Sequence, residues 1–304
     1  MRRLTGRLGL IAVLLALQCM SAHAQTLKVL VTNDDGIAAP GIDALVVALD
    51  ANPNIDLTVI APAANSSGSG ENRTTTTIGV FAGTTASGFV GKAVNGFPGD
   101  TTTFGLLQEM QANPPDLVVS GINQGQNLSA EIIPVSGTVG AASWAARLGV
   151  PAFAVSAGFG PSFGPSDYTD AAQFTADLVE VFRTKKGFRK KMHEKEAPYR
   201  GVVLNINFPT CAVGSVRGVR VVPVARLGVY SGYSLVSDIG GVQTWQPSIV
   251  TGNAFTNDCT STLEEVGSDL EAFNNGFATV TPLDPERNAT GRKLKDFKFT
   301  EKLF

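Results

Sequence analysis

Histidine is nearly absent from this chain of 304 residues, which contains only two. His23 lies in an apolar N-terminal leader, so His193 is the one imidazole expected outside that leader. A single imidazole excludes zinc sites built from several histidines and acid/base systems that need two. Cysteine is also scarce, and Cys211 and Cys259 are too far apart in sequence for a zinc ribbon. An enzyme site in this chain must therefore use oxygen ligands.

Charged residues are few, at 16% of the chain, whereas apolar residues make up 43%. Disordered chains have the reverse composition, so the protein is expected to fold. The length suffices for one large domain, or for one core with an added lobe. With 24 basic against 26 acidic residues, three of the basic ones in the leader, the rest of the chain has a net charge of about −5. Such a surface is not expected to bind duplex nucleic acid.

The N-terminus has the parts of a secretory signal peptide. A basic start with three arginines precedes an apolar run over residues 8–17, and Ala22-His23-Ala24 supplies the small residues of a cleavage site. The run is shorter than the roughly 20 residues that span a bilayer. We expect residues 1–24 to be cleaved near Ala24, which places the mature protein in the periplasm or outside the cell. An uncleaved membrane anchor is the alternative.

Export would leave Cys211 and Cys259 as the two cysteines of the mature protein. Disulfides persist in such compartments, so the pair is a candidate for a bridge. The sequence leaves both states open, because it does not give the distance between the two Cα atoms.

Short apolar runs alternate with helical patterns from Leu27 onward, which indicates βαβ units and a mainly parallel sheet. The predicted strands are 27–31, 57–60, 117–119, 153–155, 202–204 and 277–280, and the predicted helices are 40–49, 101–110, 138–148, 171–182 and 268–275. Asp100 is the expected N-cap of the second helix. Residues 74–94 look extended or hairpin-like, and the Gly-rich residues 216–250 predict a projecting hairpin lobe.

Three polar segments follow predicted strands and should meet at one edge of the sheet, where open parallel sheets bind ligands. Asp34 and Asp35 end the first strand, residues 66–69 follow the second, and residues 123–127 follow the strand at 117–119. Carboxylate, amide and hydroxyl oxygens together suit Mg²⁺ or Mn²⁺. Such a site is typically completed by a phosphate.

A further segment, Ser136-Gly137-Thr138, opens a predicted helix and offers hydroxyl and backbone N–H groups to an anion. Each of these motifs alone is more often a turn, a linker or a helix cap. Their occurrence in order, each after a strand, favours a site in which metal and phosphate are neighbours.

The same residues resemble the SurE family of stationary-phase survival proteins. The resemblance spans about residues 27–283. It is carried by Val31-Thr32-Asn33-Asp34-Asp35-Gly36, Ala39-Pro40-Gly41-Ile42, Ser67-Gly68, Ser120-Gly121-Ile122-Asn123 with Gly125 and Asn127, Ser136-Gly137-Thr138-Val139, Leu204-Asn205-Ile206-Asn207-Phe208-Pro209 and Val280-Thr281-Pro282-Leu283.

The resemblance implies a Rossmann-like three-layer α/β domain, here residues 25–304, with a C-terminal β-hairpin lobe. It also implies a divalent-metal-dependent 5′/3′-nucleotidase that removes phosphate from nucleoside monophosphates. Members form homodimers or homotetramers through a C-terminal extension, which corresponds here to residues 216–260. By matching position, one Mg²⁺ or Mn²⁺ would be held by Asp34, Asp35, Ser67 and Asn123, and the phosphate by Asn127, Ser136, Gly137 and Thr138.

Two segments depart from the family pattern. Residues 63–66 lack the charged side chains that members often carry before the Ser-Gly pair, and Gly96-Phe97-Pro98 replaces a Gly-Thr-Pro block. Both leave the predicted metal ligands intact and leave the preferred nucleotide open.

Asp34 and Asp35 are the predicted catalytic residues. Adjacent aspartates favour hydrolysis by a metal-activated water, because phosphatases that form an aspartyl-phosphate usually show Asp-x-Asp. The sequence does not assign which aspartate activates the water. The alternative function is an exported anion- or nucleotide-binding protein without turnover, which would have little need of paired aspartates beside an anion.

Overall fold

The protein is described from a computed structural model over residues 26–192, 201–226, 230–249, 257–284, 295 and 297–304. The predicted signal peptide and His193 lie outside these residues. In the described ranges, no helix combines the length and the hydropathy that a membrane span needs.

The strands of the described chain are β1 (Leu27–Thr32), β2 (Ile55–Pro62), β3 (Gly79–Thr84), β4 (Val90–Asn95), β5 (Leu117–Gln124), β6 (Ala152–Ala157), β7 (Val203–Phe208), β8 (Val219–Val221), β9 (Tyr230–Ile239), β10 (Val242–Ile249) and β11 (Ala278–Leu283). The α-helices are α1 (Pro40–Asp50), α2 (Pro98–Phe104), α3 (Ser129–Ile132), α4 (Gly137–Arg147), α5 (Thr169–Thr184), α6 (Lys186–Lys191) and α7 (Asp269–Asn274).

Nine of these strands form one mixed sheet in the order β3-β4-β2-β1-β5-β6-β7-β11-β8. Neighbouring strands are parallel except for β3 with β4 and β7 with β11. Central β1 pairs with β2 on one side and β5 on the other, so that Val29 lies between Leu57 and Leu117. The predicted mainly parallel sheet is confirmed.

Helices cover both faces of the sheet. Successive side chains of a strand point to opposite faces, so neighbouring residues of β1 contribute to two different core clusters. Val29 of β1 packs in one core cluster with Leu45 of α1 and Leu178 of α5. Its neighbour Leu30 packs in the other cluster, with Val139 of α4. Strands β6, β7 and β11 are buried along their whole length, as expected of strands covered on both faces. The predicted three-layer α/β domain is confirmed.

One helix start differs from the prediction. Helix α2 begins at Pro98, and Phe97 is its N-cap. Proline suits the first helical position because its fixed φ and missing N–H cost nothing there. Asp100 lies one turn inside, where its Oδ2 accepts the Phe97 N–H at 2.9 Å. The prediction of Asp100 as N-cap was wrong, and a π-helical turn, Gly105–Glu109, continues the helix.

The predicted C-terminal hairpin is formed by β9 and β10, which pair antiparallel as a separate two-stranded sheet. Large apolar side chains on it are exposed, among them Ile239 at 76% and Val242 at 69%. Strand β8, although within the Gly-rich segment, belongs instead to the main sheet beside β11.

Cys211 and Cys259 form a disulfide with Cα atoms 5.8 Å apart. The bridge joins the segment after β7 to the segment before α7 across 48 residues of sequence. The sequence left open whether the two cysteines are bridged or free, and the structure shows them bridged.

Replacing both cysteines with serine (Cys211→Ser with Cys259→Ser) should lower the free energy of unfolding by about 4 kcal/mol, because a loop of 48 residues regains its freedom in the unfolded chain. Urea unfolding with and without reductant measures the change. Reductant should shift the midpoint of the wild type and leave the double variant, the matched control, unchanged. A wild-type urea midpoint that is the same with and without reductant would contradict the disulfide.

Candidate active site

The site lies at the point where the sheet reverses its strand order. The strand that follows β1 in the chain, β2, lies on one side of β1 in the sheet, and β5 lies on its other side. The loops after β1 and β5 therefore lead to opposite sides and leave a gap at the carboxyl ends of these two strands. Such switch points form the ligand crevice of open α/β sheets. Asp34 and Asp35 directly follow β1, and Asn123 lies near the end of β5. Asn123 was predicted to follow the strand at 117–119, but β5 continues through it after a register shift that begins at Ser120.

Asp34 is a buried carboxylate held by the first turn of α4. Its Oδ1 accepts a hydrogen bond from the Thr138 hydroxyl at 2.7 Å. Burial, followed by the neighbouring charge of Asp35, raises the pKa of Asp34 to about 6, and the Thr138 bond opposes that shift. Asp34 therefore lies where a negative charge is electrostatically disfavoured.

Asp35 is half-buried and joins β1 to β5. Its Oδ2 accepts the backbone N–H of Gln124 at 2.9 Å, and the Ser67 hydroxyl also donates to this carboxylate. Burial raises the pKa of Asp35, while both hydrogen bonds act in the opposite direction. Through Gln124, Asp35 fixes the position of the neighbouring Asn123.

The two predicted asparagines are fixed by their amide nitrogens. Asn123 Nδ2 donates to the Gly125 carbonyl at 2.6 Å. Asn127 Nδ2 donates to Ser156 Oγ at 2.9 Å and to Thr138 Oγ1 at 3.3 Å. Thr138 is thus held between Asn127, from which it accepts, and Asp34, to which it donates.

The N-terminus of α4 faces Asp34. Ser136 caps the helix, since its Oγ accepts the Val139 N–H at 3.1 Å. A Cβ added to Gly137 would lie 2.8 Å from Ser69 Oγ and 2.9 Å from Asp34 Oδ2, so no side chain fits there. The first N–H groups of a helix have no partner within it and favour negative charge. The glycine therefore lets the side chains of Asp34 and Ser69 approach the first turn of the helix closely.

Two strand residues support the site without having been predicted in it. Asn207 Oδ1 accepts the backbone N–H of Asn127 at 2.7 Å. The carbonyl of Asn127 accepts from Asn205 Nδ2 at 2.8 Å and from Asn207 Nδ2 at 3.3 Å. The signals in the sequence are the family-like block at residues 204–209 and, within it, two asparagines at alternate positions on the same face of β7.

A third residue that supports the site without having been predicted in it is Asp269, the first residue of α7. Its carboxylate accepts the backbone N–H of Ser129 at 3.1 Å and that of Ala225 at 2.7 Å. Ser129 has φ 68°, which is uncommon for a residue other than glycine. Burial raises the pKa of Asp269 to about 6. This buried carboxylate fixes the chain two residues after Asn127.

The structure thus brings all eight predicted site residues to one edge of the sheet, while their roles remain predictions. Six of them are joined by the contacts described above, namely Asp34, Asp35, Ser67, Asn127, Gly137 and Thr138. The other two lie next to these contacts: Asn123 precedes Gln124, which binds Asp35, and Ser136 caps α4. Over the described ranges, histidine, cysteine, aspartate and glutamate side chains form no metal-binding group of three or more.

Known proteins with a similar sequence and fold were found over most of the chain. The family model "Survival protein SurE" matches residues 29–230. The "5′-nucleotidase SurE" of Symbiobacterium thermophilum is 38% identical over 276 residues, covering 90% of this chain and 98% of that protein. The protein of the same name from Syntrophobacter fumaroxidans is 32% identical over 259 residues, covering 84% and 93%. The crystal structure of the SurE protein from Aquifex aeolicus superposes with a TM-score of 0.67 at 28% identity, covering 90% of this chain and 99% of that one.

Asn207→Ala should destabilise the protein more than Asn205→Ala. Without Asn207 the buried N–H of Asn127 loses its acceptor, which costs about 1–3 kcal/mol. Without Asn205, the Asn127 carbonyl still accepts from Asn207. Urea unfolding of both variants measures the difference, and equal losses or the reverse order would contradict the assigned hydrogen bonds.

Proposed function

Because the chain belongs to the SurE family, we propose that it is a phosphoric monoester hydrolase that releases phosphate from nucleoside monophosphates, as a 5′/3′-nucleotidase. The observation that carries the proposal is the position of Asp34 and Asp35 beside the N-terminus of α4. An anionic ligand at this helix end would lie beside two carboxylates, and a cation between them would offset the repulsion.

The residues present fit a divalent cation. Among the described residues, neither Asp34 nor Asp35 forms an ion pair with lysine or arginine. The pKa of each carboxyl is raised, so an added positive charge would stabilise both in the ionised form. Asn123 uses its amide nitrogen on Gly125, and its oxygen is the atom that suits a cation.

We assign one Mg²⁺ or Mn²⁺ to Asp34, Asp35, Ser67 and Asn123, whose hard oxygen atoms these ions prefer. When bound, the cation lowers the pKa of a coordinated water and offsets the charge of the phosphoryl oxygens. The phosphate is assigned to Asn127, Ser136, Gly137 and Thr138, and Asn127 also holds Thr138 in place. The backbone N–H groups of α4 orient the phosphoryl group for in-line attack.

Asp35 is the better placed of the two aspartates to take a proton from the attacking water. Asp34 is almost fully buried and already accepts from Thr138, whereas Asp35 is half-buried and reaches solvent. Its bond to Gln124 fixes the orientation of the carboxylate. We therefore assign proton transfer to Asp35 and a structural and ligand role to Asp34.

The β9–β10 hairpin supports the proposal of a homodimer or homotetramer. A two-stranded sheet is marginally stable in water by itself, and this one exposes apolar side chains on both strands. These include Tyr233, Leu235, Val236, Ile239, Val242 and Trp245. An exposed apolar patch of this kind marks an association surface. We propose that residues 216–260 contribute it.

We also propose that the protein is exported after cleavage near Ala24. The charge, length and small residues of the leader support this assignment. The Cys211–Cys259 bridge is a second support, because disulfides are stable in oxidising compartments and rare in the cytosol.

Chelation with EDTA should abolish phosphate release from 5′- and 3′-mononucleotides, and Mn²⁺ or Mg²⁺ should restore it. Asp35→Asn should lose about a hundredfold or more in kcat yet stay folded, because the cation loses a charged ligand and the attacking water loses its proton acceptor. Asp177→Asn, on the exposed face of α5, is the matched control and should remain active.

Phosphate release that survives chelation would contradict the metal-dependent mechanism. A trapped phosphorylated aspartate would contradict attack by water. Nucleotide binding with no phosphate release would instead favour an exported binding protein.

Ile239→Lys with Val242→Lys should lower the molecular mass measured by light scattering to that of one chain. The two residues are paired across the hairpin next to its turn, so two like charges would lie side by side on the proposed association surface. Val90→Lys, at a residue 73% exposed on β4, is the control and should leave the mass unchanged. An unchanged assembly in the double variant would contradict the role of the hairpin.

A further inference from the structure

We propose that Ser69 binds the phosphoryl group: its hydroxyl donates a hydrogen bond to a phosphoryl oxygen at the N-terminus of α4. This inference rests on the proposed phosphatase function. Ser67, two residues earlier, is the serine assigned to the metal. The two serines therefore have different tasks.

Ser69 has a buried hydroxyl that is not used in the folded protein. The residue is 8% exposed, and among the described residues its Oγ has no hydrogen-bond partner. Buried hydroxyl groups are nearly always hydrogen-bonded, because leaving one unpaired costs free energy. An unpaired hydroxyl at a ligand crevice is explained if the ligand supplies the partner.

Backbone hydrogen bonds fix the main chain around Ser69. The Ser69 carbonyl accepts the Asn72 N–H at 3.0 Å, and the next residue, Gly70, donates its N–H to Val135 at 2.9 Å. Ser69 is therefore anchored to the segment that enters α4. Ser67 is exposed and donates to Asp35, so the loop presents one serine to each half of the site.

Gly137 shows that the hydroxyl faces the helix end. Ser69 Oγ and Asp34 Oδ2 lie 2.8 Å and 2.9 Å from the point that a Cβ on Gly137 would occupy. Gly137 is the first residue of α4, an 11-residue helix. The Ser69 hydroxyl therefore lies next to the first turn of α4, so a phosphoryl group bound at that helix end could accept from the backbone donors and from this hydroxyl together.

Ser143 provides a matched control within the same helix. Its Oγ is also buried and without a partner in the described part of the chain, but it lies nearly two turns inside α4. Ser143→Ala removes the same group from the same helix, away from its N-terminus.

The test measures binding of inorganic phosphate to the mature protein saturated with Mn²⁺, by calorimetry and by competitive inhibition of nucleotide hydrolysis. Ser69→Ala should raise the dissociation constant of phosphate about tenfold or more, the size of a lost hydrogen bond to a charged group. The affinity for Mn²⁺ alone and the melting temperature without phosphate should not fall, because no bond within the protein is lost. Ser143→Ala should leave all three quantities unchanged.

A phosphate affinity of Ser69→Ala within twofold of the wild type would overturn the inference. An equal loss in Ser143→Ala would do so too, and a loss of Mn²⁺ affinity would reassign Ser69 to the metal. These outcomes leave the proposed function intact if the wild type hydrolyses nucleotides. A wild type that neither binds phosphate nor releases it from nucleotides would overturn both.

Discussion

Two adjacent carboxylates at the end of β1 are the constraint on which the rest of the site depends. Burial and mutual repulsion raise the pKa of Asp34, so the fold must supply groups that hold the pair in place. It does so from two elements: the Thr138 hydroxyl at the start of α4 and the Gln124 N–H at the end of β5. The ends of β1 and β5 and the start of α4 come together at the switch point of the sheet. The topology therefore determines where such a pair can be tolerated.

Support for the site reaches well beyond the loops that carry it. Strand β7 lies two strands from β5 in the sheet, yet Asn207 holds Asn127, which in turn holds Thr138 against Asp34. Helix α7 adds Asp269, which fixes the chain after Asn127. The groups nearest the proposed ligand are thus ordered by buried hydrogen bonds from distant parts of the sequence. This arrangement limits the movement of the site when a ligand binds.

The sequence predicted the sheet, its two covering layers and the edge that carries the site, because these follow from local patterns and from the geometry of parallel strands. It misplaced the start of α2, where Pro98 begins the helix before Asp100 can cap it. Asn207 and Asp269 were missed as site residues, since hydrogen bonds between distant segments leave no periodic signal. The family resemblance pointed to Ser67 and not to Ser69, because the buried, unpaired hydroxyl of Ser69 is visible only in the loop conformation.

We propose above that the carboxylate pair at the switch point, Asp34 and Asp35, binds one divalent cation. The most direct measurement is the stoichiometry and affinity of Mn²⁺ for the metal-free protein, compared with Asp34→Asn and Asp35→Asn. We expect one ion per wild-type chain, with binding lost or greatly weakened in each variant while the fold is retained. A wild type that binds no Mn²⁺, or variants that bind it as tightly as the wild type, would contradict the account.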